Sequence, residues 1–129
     1  MKDEGKKRQD MVRRTKQFAL LIVRLYSNLP KSTVAQVLGR QLLRSGTSVG
    51  AHYREAIRAR SVAEFVSKLE GGLQELDETA YWLELLAESN TLPSKRLRPL
   101  MDETNQLLAN VRRVRKNIKV ETALLVTVS

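Results

Sequence analysis

The sequence predicts an all-α fold, an antiparallel up-down-up-down four-helix bundle. Three observations predict it. Apolar residues recur at three- and four-residue spacing through four long stretches. Proline breaks and serine caps separate those stretches with short connections. No strand–turn alternation, Gly-rich phosphate loop or internal repeat appears.

Residues 1–8 are polar and charged and are expected to form a disordered basic N-terminus. The bundle itself is expected over residues 9–119. Met11, Phe18, Ile22, Leu25 and Leu29 mark the first helix, from about Gln9 to Asn28. Pro30 ends it, because the residue before a proline is pushed out of the helical region. Ser32 caps the second helix, which runs to about Arg58. Its core face carries Val34, Leu38, Leu42, Ser45, Val49, His52 and Ala56. Ser61 caps the third helix, and Glu64 completes an S-x-x-E capping box in which each side chain bonds the other's backbone N–H. The third stripe is Val62, Phe65, Leu69, Leu73, Leu76, Ala80, Leu83 and Ala87. Ser94 caps the fourth helix, which reaches about Lys119, and Pro99 suggests a regular start a few residues later. Leu97, Leu100, Met101, Thr104, Leu107, Leu108, Val111 and Ile118 form its stripe. Residues 120–129 are an apolar, β-branched C-terminal tail, whose open courses are to extend the helix, pack on a neighbour or fray.

A chain of 129 residues makes one domain with one real core. Cysteine is absent, which removes disulfides, thiolate catalysis and cysteine-ligated metal sites and fits a reducing cytoplasm. The N-terminal charges are not followed by a signal-peptide apolar run. The longest apolar cluster, Phe18 to Val23, falls far short of the roughly 20 residues a membrane span needs. A cytoplasmic protein without membrane contact is therefore expected. Lys and Arg number 23 against 14 Asp and Glu, a net charge of +9. That excess suits association with nucleic acid or another acidic surface, or simply a charged, soluble surface.

Residues Gln41 to Ala56, QLLRSGTSVGAHYREA, place Gly46, Gly50 and several short polar residues inside a helix. Each glycine costs about 1 kcal/mol of helix propensity against alanine, so close helix contact is the expected return. Followed by EFVSKLEGGLQELDETAYWLELL, this segment resembles the ribosomal-RNA intervening-sequence proteins, bacterial four-helix bundles. A related branch is the accessory variability determinant of diversity-generating retroelements. The resemblance covers about residues 18–110. The pattern R-S-G-T-S-V-G-A-N-Y-R-E-A matches from Arg44 to Ala56 except at His52, where the family usually has Asn. It implies an antiparallel four-helix bundle, and a homopentamer around a central channel. It also implies nucleic acid and a reverse transcriptase as partners in the retroelement branch. The intervening-sequence name records gene location rather than chemistry.

Arg40, Arg44, Arg54 and Arg58 fall within about 80° of one another on the second helix, an arginine ridge able to follow a phosphate backbone. Arg112, Arg113, Arg115 and Lys116, with Lys119, form a second cationic run. Cations near a helix C-terminus are also favoured by the helix dipole. In an up-down bundle this run neighbours Lys6, Lys7, Arg8, Arg13 and Arg14. On the third helix Glu70, Asp77 and Glu84, with Glu88 nearby, make an acidic ridge suited to a basic ridge on another helix or subunit. Ser45, Ser48, His52 and Glu55 adjoin on the second helix and are expected to form a buried polar network. Gly46, Gly50, Tyr53, Glu70, Asp77, Trp82 and Glu84 are candidate oligomer-interface residues. Leu20, Val23, Tyr81 and Leu86 lie outside the main stripes and extend the apolar surface.

The leading expectation is a non-catalytic, oligomeric adaptor that binds RNA or DNA electrostatically, beside a partner enzyme. The alternative is a homo-oligomeric protein scaffold in which the same charges pair between subunits and no nucleic acid binds. An enzyme using Ser48, His52 and Glu55 is the remote reading, because no oxyanion hole or third positioned group is readable. With one histidine and no cysteine, neither a metal site nor a cofactor is expected.

Overall fold

The computed structural model describes residues 2–128, in four α-helices. These are α1 (Lys2–Ser27), α2 (Thr33–Ile57), α3 (Val62–Glu88) and α4 (Ser94–Val128). Met1 and Ser129, the outer limits of the expected N-terminus and tail, lie outside the described residues. α2 packs between α1 and α3, α3 also packs on α4, and the α1–α4 contact is the sparsest. Short turns join successive helices, which run antiparallel as expected.

Two ends differ from the sequence expectation. α1 begins at Lys2, so the helix takes in residues 2–8, ahead of the start expected near Gln9. Lysine and arginine are good helix formers, and Asp3 suits the positive end of the helix dipole. Arg8 also lies 5.6 Å over the Phe65 ring, which ties this end of α1 to α3. At the other terminus α4 passes Lys119 and continues to Val128, so the tail extends the helix, one of the three courses open to it. Its 35 residues span about 52 Å. Its last turns leave Val120, Leu124 and Leu125 exposed.

The caps form largely as read. Ser32 Oγ accepts from Ala35 N–H at 3.2 Å, and Ser61 Oγ accepts from Glu64 N–H at 3.1 Å. The return arm of the capping box differs. Glu64 Oε2 accepts from the N–H of Arg60, at 3.3 Å, one residue before the cap. α4 includes Ser94 and tolerates Pro99 without a delayed start. The carbonyl deprived of a donor there belongs to Lys95, an exposed residue open to water. Between α3 and α4, Asn90 adopts φ 58°, the left-handed region that asparagine tolerates. That turn lets Thr91 N–H reach the carbonyl of Leu86 at 3.1 Å and sends Leu92 back into the core.

Phe18 and Ile22 of α1 meet Leu42 and Val49 of α2, Leu69, Leu76, Leu83 and Leu86 of α3, and Leu97 and Leu107 of α4. Each such side chain contributes roughly 1.5–3 kcal/mol by leaving water. Leu86 is thus a core residue rather than part of an outer apolar face. Val34 and Val62 are exposed instead, because each lies in the first turn of its helix, at the edge of the packed layers.

The glycines of α2 set its distance from α1. A Cβ on Gly46 would strike Ile22, and one on Gly39 would strike Leu29. A Cβ on Gly50 would lie 3.2 Å from Thr15 Oγ1. The close contact expected of Gly46 and Gly50 is therefore met within one chain. Tyr53, at 4% exposure, is buried in the same core.

Candidate nucleic-acid interface

The four arginines of α2 do not share one environment. Arg44 leans toward α3, where its guanidinium lies 2.9 Å from Glu78 Oε2 and 3.8 Å from Glu75 Oε1. Arg40, Arg54 and Arg58 are exposed and have no carboxylate partner among the described residues. The helical wheel groups all four by angle. It could not show that Arg44 sits on the flank where α3 supplies carboxylates.

Arg54 and Arg58 instead border an open groove of about 460 Å³ between α1 and α2, together with Lys16. Thr15, Ala19, Thr47, Gly50 and Ala51 line it with short side chains. Glu55 stands at its edge, held by Lys68 Nζ at 3.0 Å. That hydrogen bond and the Lys68 charge keep the Glu55 carboxyl below its ordinary range. Lys16 was not singled out in sequence. It belongs to another helix, and only the α1–α2 crossing brings it to the arginines.

The second cationic region is the bundle end where α1 begins and α4 approaches its close. Lys7 and Arg8 border a pocket with Val114, Asn117, Ile118 and Glu121 of α4, whereas Arg112, Arg115, Lys116 and Lys119 line a separate one. Here too the charges divide. Arg112 pairs with Asp77 at 3.6 Å, and Lys119 pairs with Glu70 at 3.3 Å. Arg14 makes a two-point pair, donating to both oxygens of Glu103 at 2.6 and 2.9 Å, and also donates to Gln106 at 2.8 Å. The bond to Glu103 raises the Arg14 pKa above its ordinary value, against the opposing effect of burial. Arg113, Arg115 and Lys116 have no carboxylate partner among the described residues. Because α4 runs on to Val128, none of these cations lies in its last turn. The helix dipole acts mainly within that turn and does not account for them.

The acidic ridge of α3 faces α4. Glu70 and Asp77 pair with α4 of the same chain, while Glu84 and Glu88 have no cationic partner among the described residues. The carboxylates that neutralise Arg44 are Glu75 and Glu78, which the seven-residue pattern passed over.

The expected network of Ser45, Ser48, His52 and Glu55 is not assembled. Ser45 Oγ pairs with Thr79 Oγ1 of α3 at 2.8 Å, and both are fully buried. Ser48 donates to the carbonyl of Arg44 at 2.6 Å, and Glu55 is exposed and drawn to Lys68. His52 packs on Gly71, where a Cβ would lie 2.8 Å from its Nδ1. That Nδ1 is buried without a hydrogen-bond partner. Serine hydroxyls within a helix readily bond the preceding turn, which takes Ser48 away from His52. Nearby, burial foremost and the neighbouring Glu78 next push the Glu75 carboxyl above its ordinary range. Trp82 is half-buried and meets Tyr81 edge-to-face at 5.1 Å, with Tyr81 53% exposed. Among the described residues no cluster of three or more His, Asp or Glu could hold a metal ion. No described helix is long and apolar enough to cross a membrane.

Fold and surface together define a basic, all-helical bundle protein whose positive charge is only partly neutralised from within. A family model described as 23S rRNA-intervening sequence protein matches residues 7–113, and the chain belongs to that family. It is also similar to a crystal structure of a protein of unknown function from the S23 ribosomal protein family of Bacteroides thetaiotaomicron VPI-5482. The two share 34% identity and a TM-score of 0.80, over 85% of this chain and 98% of the other. Neither description names a catalytic activity. No curated protein matches the chain.

Proposed function

We propose that this protein is a non-catalytic, oligomeric adaptor that binds RNA or DNA through its unneutralised cations. The observation that carries this reading is the division of charge. Arg44 and Arg112 are satisfied by carboxylates of α3, whereas Arg40, Arg54, Arg58, Arg113, Arg115 and Lys116 are not. Clustered like charges repel, and phosphate relieves that repulsion while gaining bidentate guanidinium contacts. A reverse transcriptase is the partner class that the retroelement resemblance supplies.

A second reading, a homo-oligomeric scaffold without nucleic acid, draws on exposed apolar side chains. Leu20, Leu21 and Val23 of α1 and Val34 and Val37 of α2 are each at least 37% exposed. Homopentamer assembly comes from the resemblance and belongs equally to both readings.

Fluorescence anisotropy of labelled single- and double-stranded RNA and DNA, titrated at several salt concentrations, separates them. The adaptor reading expects binding whose logarithm falls linearly with log salt. Absence of binding at low salt, with assembly intact by sedimentation, would leave the scaffold.

A further inference from the structure

Three cations from two helices meet at one concave place on this surface. Lys16 of α1 and Arg54 and Arg58 of α2 border the same groove, and none has a carboxylate partner among the described residues. We infer that this groove is a seat for the phosphodiester backbone of a nucleic-acid strand, gripped through phosphate and not through bases. The inference rests on the adaptor reading and gives it a place.

Four features support it. Ala19, Gly50 and Ala51 are part of the groove lining, and their short side chains let a backbone approach the cations closely. Arg54 and Arg58 are one helical turn apart, about 6 Å along the axis, so their guanidinium groups form a short row rather than a single point. Glu55, the carboxylate at the edge, is engaged by Lys68 and does not neutralise the three cations. No aromatic ring and no side-chain amide lines the groove. Stacking on an aromatic ring and adenine reading by a side-chain amide are therefore not offered here, and the guanidinium and ammonium groups are left to contact phosphate, which carries no sequence information. Arg44 is excluded from the seat despite its place on the same helix, because Glu75 and Glu78 hold it on the other flank.

The test titrates the full chain with two labelled duplexes of unrelated sequence, and with a polyglutamate peptide of equal length, over a range of salt. Four proteins are compared: the parent, Lys16→Gln/Arg54→Gln/Arg58→Gln, Arg113→Gln/Arg115→Gln/Lys116→Gln, and Glu55→Gln. The groove variant is expected to lower the slope of log affinity against log salt by roughly 2 to 3, about one unit per lost phosphate contact. The loss should be equal on both duplexes. Glu55→Gln, which removes negative charge at the rim, is expected to tighten binding a few-fold. Melting temperatures report whether the groove variant stays folded, and if it does not, the Glu55→Gln gain decides. A groove variant that binds like the parent while the bundle-end variant fails would overturn the seat and leave the adaptor reading standing. No binding by the parent at low salt would overturn both. Polyglutamate binding that is equally strong and equally lost would overturn the phosphate assignment.

Discussion

The two flanks of α2 use the same residue types to opposite ends. Toward α3, Arg44 meets Glu75 and Glu78, Glu55 meets Lys68, and Ser45 meets Thr79. Toward α1, the glycines at positions 39, 46 and 50 bring the backbones close, and the cations at the groove's edge find no carboxylate. Arg44 and Arg54 lie ten residues apart on one helix, yet one is tied into the fold and the other is free to act outward. The helix does not decide that. Its neighbour does: α3 is rich in carboxylates opposite Arg44, whereas between Thr15 and Ser27 α1 carries lysine and arginine and no acid.

The contrast can be broken most forcefully at the glycine flank. Gly46→Leu would drive a branched side chain into Ile22 and should lower the unfolding free energy by about 3 kcal/mol, the upper end of overpacking costs. Ala51→Leu, at an exposed position on the same helix, should cost less than about 0.5 kcal/mol. Urea unfolding of the two variants checks both figures. Equal effects would mean that the α1–α2 crossing is not set by glycine.

On the opposite flank, Thr79→Val leaves the buried Ser45 hydroxyl without its cross-helix partner and should cost about 1 kcal/mol. Adding Ser45→Ala should cost less than the two single changes together, because the hydroxyls act as a pair. A strictly additive double variant would argue against that coupling.

Glu75 offers a pH test of the same flank. Its folded pKa is raised, so the folded chain holds this proton more tightly than the unfolded chain does. The stabilisation is fully present below the ordinary glutamate range and is lost as pH rises through the raised folded value. Glu75→Gln should therefore remove a decline in stability over that window, seen as a flatter curve of melting temperature against pH. An unchanged curve would mean that Glu75 is as well solvated as in the unfolded chain. A small effect is also expected from Glu78→Gln. Its exposed pair with Arg44 is worth less than about 1 kcal/mol, and thermal unfolding in low and high salt should show a correspondingly small difference.

What was legible in the sequence follows the range of each interaction. The caps at Ser32 and Ser61 depend on residues three positions apart, and both could be read directly. The 3.6-residue period placed most of the core, but it misassigned Leu86, because a stripe flanked by two neighbours is wider than one lying on a single partner. Interactions between helices were less legible. The glycines announced a close contact without saying which helix made it. The hydroxyl of Thr79, the carboxylates of Glu75 and Glu78, and Lys16 all carried too little local signal to be chosen. The grouping of Ser48, His52 and Glu55 by adjacency failed because helical serines bond their own backbone and Glu55 had a lysine within reach.

Arg44 and Arg54 are a matched pair for testing whether intramolecular neutralisation decides which cations bind outward. The most direct measurement is the affinity of Arg44→Gln and Arg54→Gln for one labelled duplex at low salt, beside the parent. The account predicts that Arg54→Gln weakens binding and lowers the salt slope by about one unit, while Arg44→Gln stays close to the parent. Equal losses from both substitutions, or a larger loss from Arg44→Gln, would contradict it.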